Sequence, residues 1–203
     1  NGDAHFDFSG GNPNSGVVMN GNSTMIMSSG LIAWPHDIST GDNSQLIIRG
    51  GTLTFGVYCA SECFIEGGKL QNLINRAQGY SKITGGEVAY LENSGHTDIE
   101  GGTIENINGI MEGFTRISGG TVQYIGMEHY HLAELVGDFR VKKPSSGEIT
   151  ETFYYGSLVN PEISDYIEDE YTYSYQGILI GSFEDGVEQE ISYNIGFQSP
   201  DWT

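Results

Sequence analysis

Apolar residues and glycines recur with a short, regular period through the middle of the chain. Five segments between residues 48 and 125 share one order: isoleucine, any residue, two glycines, any residue, then leucine, valine or isoleucine. Their first glycines stand at positions 50, 67, 85, 101 and 119, so the steps are 17, 18, 16 and 18 residues. The repeat consists of the isoleucine column Ile48, Ile65, Ile83, Ile99 and Ile117, and of the glycine pairs Gly50 and Gly51, Gly67 and Gly68, Gly85 and Gly86, Gly101 and Gly102, and Gly119 and Gly120.

This period predicts an all-β fold, a parallel β-solenoid with about 17–18 residues per rung. Repeats built from paired helices need roughly 33 to 47 residues, and the segments are rich in β-branched residues and glycine, which disfavour helix. Successive rungs then stack about 4.8 Å apart, so that equivalent residues form columns and the apolar columns form the core. A second apolar column recurs eight positions after the isoleucine in four copies, at Leu73, Leu91, Ile107 and Ile125. A third, looser apolar column near position fifteen contains Cys63, Tyr80, Phe114 and Leu132.

The spacing within a rung also predicts its cross-section. Inward-facing residues of a strand are separated by even numbers, but the gaps here include the odd values 5 and 3. Each odd gap needs a bend, and the glycine pairs are natural bends because glycine adopts φ > 0 without steric cost. The pattern therefore indicates about three corners per rung, with glycine pairs as structural corners. It favours a right-handed or irregular solenoid over a left-handed hexapeptide one.

The periodicity divides the chain into three parts. The regular pattern stops around the segment Lys-Lys-Pro-Ser-Ser-Gly at residues 142–147. Asp185 and Gly186 then separate two β-rich runs and predict a hairpin turn. Because solenoid ends expose unpaired strand edges, a cap is expected. The predicted parts are an N-terminal cap with degenerate rungs (1–45), the regular solenoid (46–141) and a β-rich C-terminal cap or assembly element (142–203).

The chain is strongly acidic. It has 27 acidic residues against 8 lysines and arginines, for a formal net charge of −19. This charge argues against nucleic acid or an anionic membrane as partner, since phosphate binding depends on clustered cations. No apolar run approaches the ~20 residues of a membrane span. The acidic run from Ser164 to Glu170 lacks EF-hand spacing, so a solvated loop is favoured over a Ca²⁺ site, and no cofactor is predicted.

Other features bear on location. The chain starts at Asn1 and is rich in glycine and tyrosine, with 30 and 12 residues. We interpret it as a processed form or an excerpt of an extracellular or cell-surface protein. Asn22, Ser23 and Thr24 form a glycosylation sequon, which has meaning only in a secreted protein.

The two cysteines, Cys59 and Cys63, are disulfide candidates. A metal site would need further soft ligands, and the five histidines are too scattered to supply them. A redox pair would normally have two residues between the cysteines rather than three. A local disulfide or a pair of bridges between subunits is favoured, with free buried cysteines as the alternative.

The segment Met127–Leu135 predicts a short helix between rungs. It contains His129, Tyr130 and His131, which could suggest a metal or catalytic site. A polar excursion with one histidine in the core is the favoured interpretation, because the sequence fixes no partner for the histidines.

The positions directly before and directly after each glycine pair form two outward columns. Neither column predicts a catalytic residue. Glu66 and Glu100 lie two rungs, about 10 Å, apart, a separation that would permit an inverting glycosidase, but no groove or third group supports one. Lys69 and Glu87 interrupt the threonines that an ice-binding face would need. Both outward columns predict ordinary charge pairing across rungs, Arg49 with Glu66 and Lys69 with Glu87.

Over residues 46–141 these rungs resemble parallel β-helix surface proteins, which include adhesin passengers, phage tailspikes and repeat-built cell envelopes. The acidic, glycine-rich rungs with two cysteines also resemble an amyloid-like archaeal sheath or S-layer subunit. That resemblance implies subunits that join through solenoid edges and are locked by disulfides. We therefore expect an extracellular structural protein that assembles with itself. The alternatives are an adhesin or phage module that binds glycans, and a β-helix polysaccharide lyase or hydrolase.

Overall fold

The computed structural model describes residues 4–12, 16–33, 36–128, 131–149, 165–168 and 172–198. These residues form an all-β structure in which parallel strands stack as a solenoid of about seven turns, as predicted. The strands are β1 (His5–Ser9), β2 (Val17–Met19), β3 (Thr24–Ser29), β4 (Leu31–Ile32), β5 (Ile38–Thr40), β6 (Gln45–Ile48), β7 (Thr52–Cys59), β8 (Glu62–Ile65), β9 (Lys69–Asn75), β10 (Tyr80–Ile83), β11 (Glu87–Asn93), β12 (His96–Gly109), β13 (Phe114–Glu128), β14 (Leu132–Leu135), β15 (Gly137–Lys142), β16 (Asp165–Glu168), β17 (Thr172–Phe183) and β18 (Glu188–Gln198).

Each rung has three faces and three corners, as the odd spacings predict. The first face stacks β1, β3, β6, β8, β10, the starts of β12 and β13, and β14. The second face stacks β4, the starts of β7, β9 and β11, and the middle of β12 and β13. The third face stacks β2, β5 and the ends of β7, β9, β11, β12 and β13.

The isoleucine column lies in the core, in register from rung to rung. All five isoleucines are 0% exposed, and burying each contributes about 1.5–3 kcal/mol relative to an exposed side chain. The column continues into Met27 upstream and Leu135 downstream. The degenerate first rungs therefore stack on the regular ones through the same core.

The glycine pairs form the corner between the first and second faces. The second glycine of each pair has a positive φ, for example +82° at Gly86. The first glycine is required for a different reason: a Cβ at Gly85 would lie 2.5 Å from the carbonyl oxygen of Glu66 in the preceding rung. Only glycine fits both positions, which explains why the pair repeats.

Two local predictions from the sequence have opposite outcomes. The helix at Met127–Leu135 is wrong, because the chain remains in β13 up to Glu128 and forms β14 from Leu132. Met127 and His131, on either side of residues 129–130, are both buried, and stacking on the preceding rung outweighs local helix preference. The hairpin turn is confirmed, since β17 and β18 pair antiparallel around Asp185 and Gly186.

An antiparallel sheet closes the C-terminal side of the solenoid. In it β15 and β16 pair with one edge of β17, and β18 pairs with the other. β18 also pairs parallel with the end of β13, so it stands where the next rung of the third face would be. Antiparallel pairing begins at Gly137, before the pattern break at residues 142–147. The part of the acidic run that is described, Asp165–Glu168, forms β16 rather than the predicted loop.

We expect a substitution at a stacked glycine corner to cost more than the positive φ alone would explain, because the added Cβ also meets the neighbouring rung. Gly11→Ala, at an open corner with φ +88° and no neighbour within 4 Å, should lower the free energy of unfolding by about 1 kcal/mol. Gly86→Ala should lower the free energy of unfolding by about 1–3 kcal/mol more than Gly11→Ala does, because its Cβ would lie 2.8 Å from the Gly68 carbonyl oxygen. Denaturant unfolding measures both, and equal losses would contradict the stacking argument.

Candidate functional site

A line of buried polar side chains runs through the core beside the corner that joins the third face to the first. We call it the polar spine. It is formed by two inward columns that flank this corner, one at the end of the third face and one on the first face. Its members are Thr40, Cys59, Asn75 and Asn93 in one column, Cys63, Ser81, Thr97 and Thr115 in the other, and His131.

Asn75 and Asn93 hold the corner together by hydrogen bonds from rung to rung. The Nδ2 of Asn75 donates to Oδ1 of Asn93 at 2.9 Å and to the hydroxyl of Thr97 at 3.0 Å. The Nδ2 of Asn93 donates to the hydroxyl of Thr115 at 2.8 Å and to a backbone carbonyl of the next rung. Oδ1 of Asn93 also accepts from the backbone N–H of Gly95 at 3.0 Å. These bonds satisfy the buried amide of Asn93 and the amide hydrogens of Asn75, whereas Oδ1 of Asn75 and the hydroxyl of Ser81 have no hydrogen-bond partner among the described residues.

His131 ends the polar spine. Its Nε2 lies 2.8 Å from Oγ1 of Thr115, and its ring fills the space beside Gly109 and Gly113 where side chains would otherwise stand. Burial lowers the pKa of His131, so the folded state favours its neutral form. The predicted core histidine is thus confirmed at this position, whereas His129 lies outside the described residues.

Cys59 and Cys63 belong to the polar spine as well. Both are 0% exposed and are free thiols in the structure. The Cys59 thiol donates to the backbone carbonyls of Ser61 and Tyr80, each at 3.5 Å, and the Cys63 sulfur lies 3.9 Å from Oγ1 of Thr40. A bridge between subunits would therefore require the rung to open.

The glutamates of the two outward columns beside the glycines form ion pairs across rungs. The predicted cross-rung pairs are confirmed, Arg49 with Glu66 at 2.9 Å and Lys69 with Glu87 at 2.7 Å. Glu100 pairs with Lys82 at 2.7 Å. Such exposed pairs contribute about 0.2–1 kcal/mol each. A shallow groove of about 430 Å³ follows the second face, but neither Glu66 nor Glu100 lines it.

The third apolar column that the sequence predicts is not part of the core. Cys63 faces inward, but Tyr80, Phe114 and Leu132 stack in register with His96 on the outside of the first face, and Leu132 is 67% exposed. Ring centroids are 5.3 Å apart from Tyr80 to His96 and 5.0 Å from His96 to Phe114. Burial and a hydrogen bond to Asp98 raise the pKa of Tyr80 to about 12. The corner shifts the phase by one residue, which period counting did not detect.

Side chains of the cap complete the hydrogen bonds of the last rung. Oδ2 of Asp185 accepts from the backbone N–H of Gly120 at 3.0 Å. The amide of Gln189 accepts from the N–H of Val122 and donates to the carbonyl of Gly120, both at 2.9 Å. These are the bonds that a further rung would make, so the cap closes this end of the second face. The cap is also apolar towards the core, where Phe183 is buried.

The N-terminal end of the described solenoid lacks an equivalent cover. Within the described ranges, β1 pairs only with β3 and β2 only with β5. Phe6 is in register with Met25, which is 1% exposed, yet Phe6 itself is 52% exposed. Phe6 faces the same way as a core residue, and it is exposed because no described rung stacks on it.

No family model, curated protein or solved structure matches the chain. Among the described residues, no group of three or more histidine, cysteine, aspartate or glutamate side chains could hold a metal ion. The same part of the chain has no helix long and apolar enough to cross a membrane. The candidate regions among the described residues are the polar spine, the aromatic stack on the first face and the two ends of the solenoid.

The polar spine should be needed for stability. Asn93→Ala removes both donors and the acceptor of the buried amide and leaves the N–H of Gly95 without a partner, so the free energy of unfolding should fall by about 3 kcal/mol. The matched control is Asn106→Ala on the exposed surface, where a change within about 0.5 kcal/mol is expected. Similar losses in both variants, measured by denaturant unfolding, would contradict a special role for the buried amides.

Burial of His131 should make stability depend on pH. The pKa of His131 is lowered in the folded state, so the unfolded chain binds the proton more readily and protonation favours unfolding. This part of the stability is complete above about pH 6.5, the pKa of an unperturbed histidine, and is lost as the pH falls below it. Unfolding midpoints between pH 8 and 5 should therefore decline less steeply in His131→Gln than in the exposed control His5→Gln. Parallel declines would refute the assignment.

Proposed function

We propose that the chain is an extracellular or cell-surface structural protein that assembles with itself through the N-terminal end of its solenoid. The observation that carries the proposal is the difference between the two ends. One is closed by an antiparallel sheet, with side chains that complete the last rung, and the other presents two strands that are paired on one side only within the described ranges.

The exposed chemistry of this end suits a strand partner. The outer edge of a strand presents N–H and C=O groups that another strand can pair with. Phe6 adds an apolar side chain directed like the core residues, and Phe8 packs partly against the core beside it. Val18 is exposed on β2 of the same rung. Association here would bury apolar surface and complete backbone hydrogen bonds together.

A second copy is the partner that matches this end best. Two copies related by a two-fold axis perpendicular to the solenoid would bring identical ends together, with their strands antiparallel at the junction, as in an isologous interface. The closed C-terminal side prevents the same contact from continuing at the other end. This contact alone therefore gives a pair, and a layer or filament would need additional contacts along the faces.

Glycan binding, as in an adhesin, is a second candidate. The observation that favours it is the stack of Tyr80, His96 and Phe114 on the outside of the first face, where the rings follow one another at rung spacing. Aromatic rings combine a large apolar face with a polar edge, which suits the mixed surface of a sugar. A chain that stays monomeric and binds oligosaccharides would favour this candidate over assembly.

Self-association should depend on the apolar side chain at the open end. Sedimentation of the 22.1 kDa chain across a range of concentrations should reveal a pair of copies, and electron microscopy would reveal any larger polymer. Phe6→Glu should weaken the association at least tenfold, because it places a charge at the junction of two copies of an already acidic chain. Far-ultraviolet circular dichroism should show that the fold is retained.

The matched control is Val187→Glu. Val187 is 54% exposed in the cap turn, at the opposite end of the molecule from β1, so its substitution should leave the association unchanged. A chain that is monomeric at every concentration would refute the proposed contact. Equal loss of association in both variants would show that the contact lies elsewhere.

A further inference from the structure

We propose that Cys59 and Cys63 form a disulfide enclosed within the core of a single rung. The two residues stand on either side of the corner between the third and first faces, with a bend at Ala60 and Ser61 between them. Cys59 ends β7 in register with the inward residue Asn75, and Cys63 lies on β8 in register with the inward residue Ser81. Both side chains therefore point into the same inner corner.

The surroundings of the two sulfurs favour their pairing with each other. The Cys63 sulfur lies 3.9 Å from the hydroxyl of Thr40, which stands in register with Cys59 one rung earlier. The Cys59 thiol donates to the carbonyl of Ser61, which belongs to the corner between the two cysteines. In later rungs the same two columns hold Asn93 and Thr115, which hydrogen-bond across the corner. A covalent bond at Cys59 and Cys63 would fasten the corner where these asparagines are absent.

Burial decides whether the cysteines can pair within one chain or with a second copy. Neither cysteine is accessible on the folded rung, so a bridge to a second copy would require the rung to come apart. The structure contains no other cysteine, since the chain has only two. The disulfide that the sequence leaves open between a local and an intersubunit bridge is thereby assigned to the local one.

The oxidant is a small-molecule disulfide such as oxidised glutathione. The thiolate of Cys59 attacks one sulfur of the oxidant, which releases one small thiol and leaves a mixed disulfide on Cys59. The thiolate of Cys63 then attacks the Cys59 sulfur, forms the Cys59–Cys63 bond and releases the second small thiol. Two thiols lose two protons and two electrons in total, and the oxidant is reduced to two thiols.

The exchange has to precede closure of the rung. In the folded rung, burial raises the pKa of the Cys63 thiol well above its usual range, and the thiolate is the reactive form. Once the neighbouring rungs have stacked, reductants cannot reach the bond because both sulfurs are buried. The disulfide would thus form during folding and persist in the native protein.

Peptide mapping of the whole chain tests the proposal directly. The chain is refolded with a mixture of reduced and oxidised glutathione, unfolded without reductant, alkylated and digested with trypsin. Cleavage after Arg49 and Lys69 places both cysteines in one peptide, residues 50–69. We expect this peptide to be unalkylated and lighter by two hydrogens than its reduced form. A doubly alkylated peptide, or a dimer on a non-reducing gel, would overturn the proposal.

Protection from reductant supplies a second readout. The oxidised native protein should keep the bond in reductant and lose it promptly when denaturant is added, whereas a bond on the surface would be reduced under both conditions. Rapid reduction of the native protein would contradict an enclosed bond. The Cys59→Ala, Cys63→Ala double variant is the matched control, and its unfolding midpoint should not differ between oxidising and reducing buffers.

Discussion

Hydrogen bonding between the backbone of one rung and the backbone of the next is the interaction on which the rest of this structure depends. No rung can satisfy its own N–H and C=O groups, so each relies on the rung before it and the rung after it. The glycine corner follows from this constraint, because Gly85 approaches the Glu66 carbonyl more closely than any side chain would allow. The isoleucine column follows too, since rungs locked in register place identical positions above one another.

The same constraint accounts for polar residues inside the core. At the corner between the third and first faces the chain turns away from regular pairing, and carbonyl groups there need other donors. Asn93 supplies a donor to a carbonyl of the next rung and accepts from Gly95, and His131 takes over where the glycines of the later rungs leave space. Buried polar groups of this kind are costly when incomplete and rigid when complete. The polar spine is therefore explained by the need to turn a corner inside the core.

The sequence predicts the features in which the same residue type recurs at each rung. It does not predict the features in which only the polar or apolar character of a position recurs. Identical glycines and isoleucines are visible as a period, and their odd spacing even indicates three corners. Asn75, Asn93, Thr97 and Thr115 are not visible in the same way, because polar residues near glycine look like an exposed turn. Tyr80 and Phe114 were misplaced for the converse reason: apolar residues suggest the core, although these two stack on the outer surface. Their register depends on the length of the corner, which a period near 18 does not specify. The pairing of Gln189 with Gly120 spans 69 residues and has no local signal at all.

The charge of the chain bears on where two copies would meet in the proposed assembly. Its eight cations face 27 acidic residues, and Arg49, Lys69, Lys82 and Arg116 are already paired across rungs within the same chain. Faces brought side by side would therefore place unpaired carboxylates near each other, with repulsion screened only beyond about 8 Å at physiological ionic strength. The proposed end-on contact would gain backbone hydrogen bonds that the faces do not offer, because the strands within the described faces are already paired on both sides. Charge and unpaired backbone thus favour the contact proposed above, at the N-terminal end of the described stack.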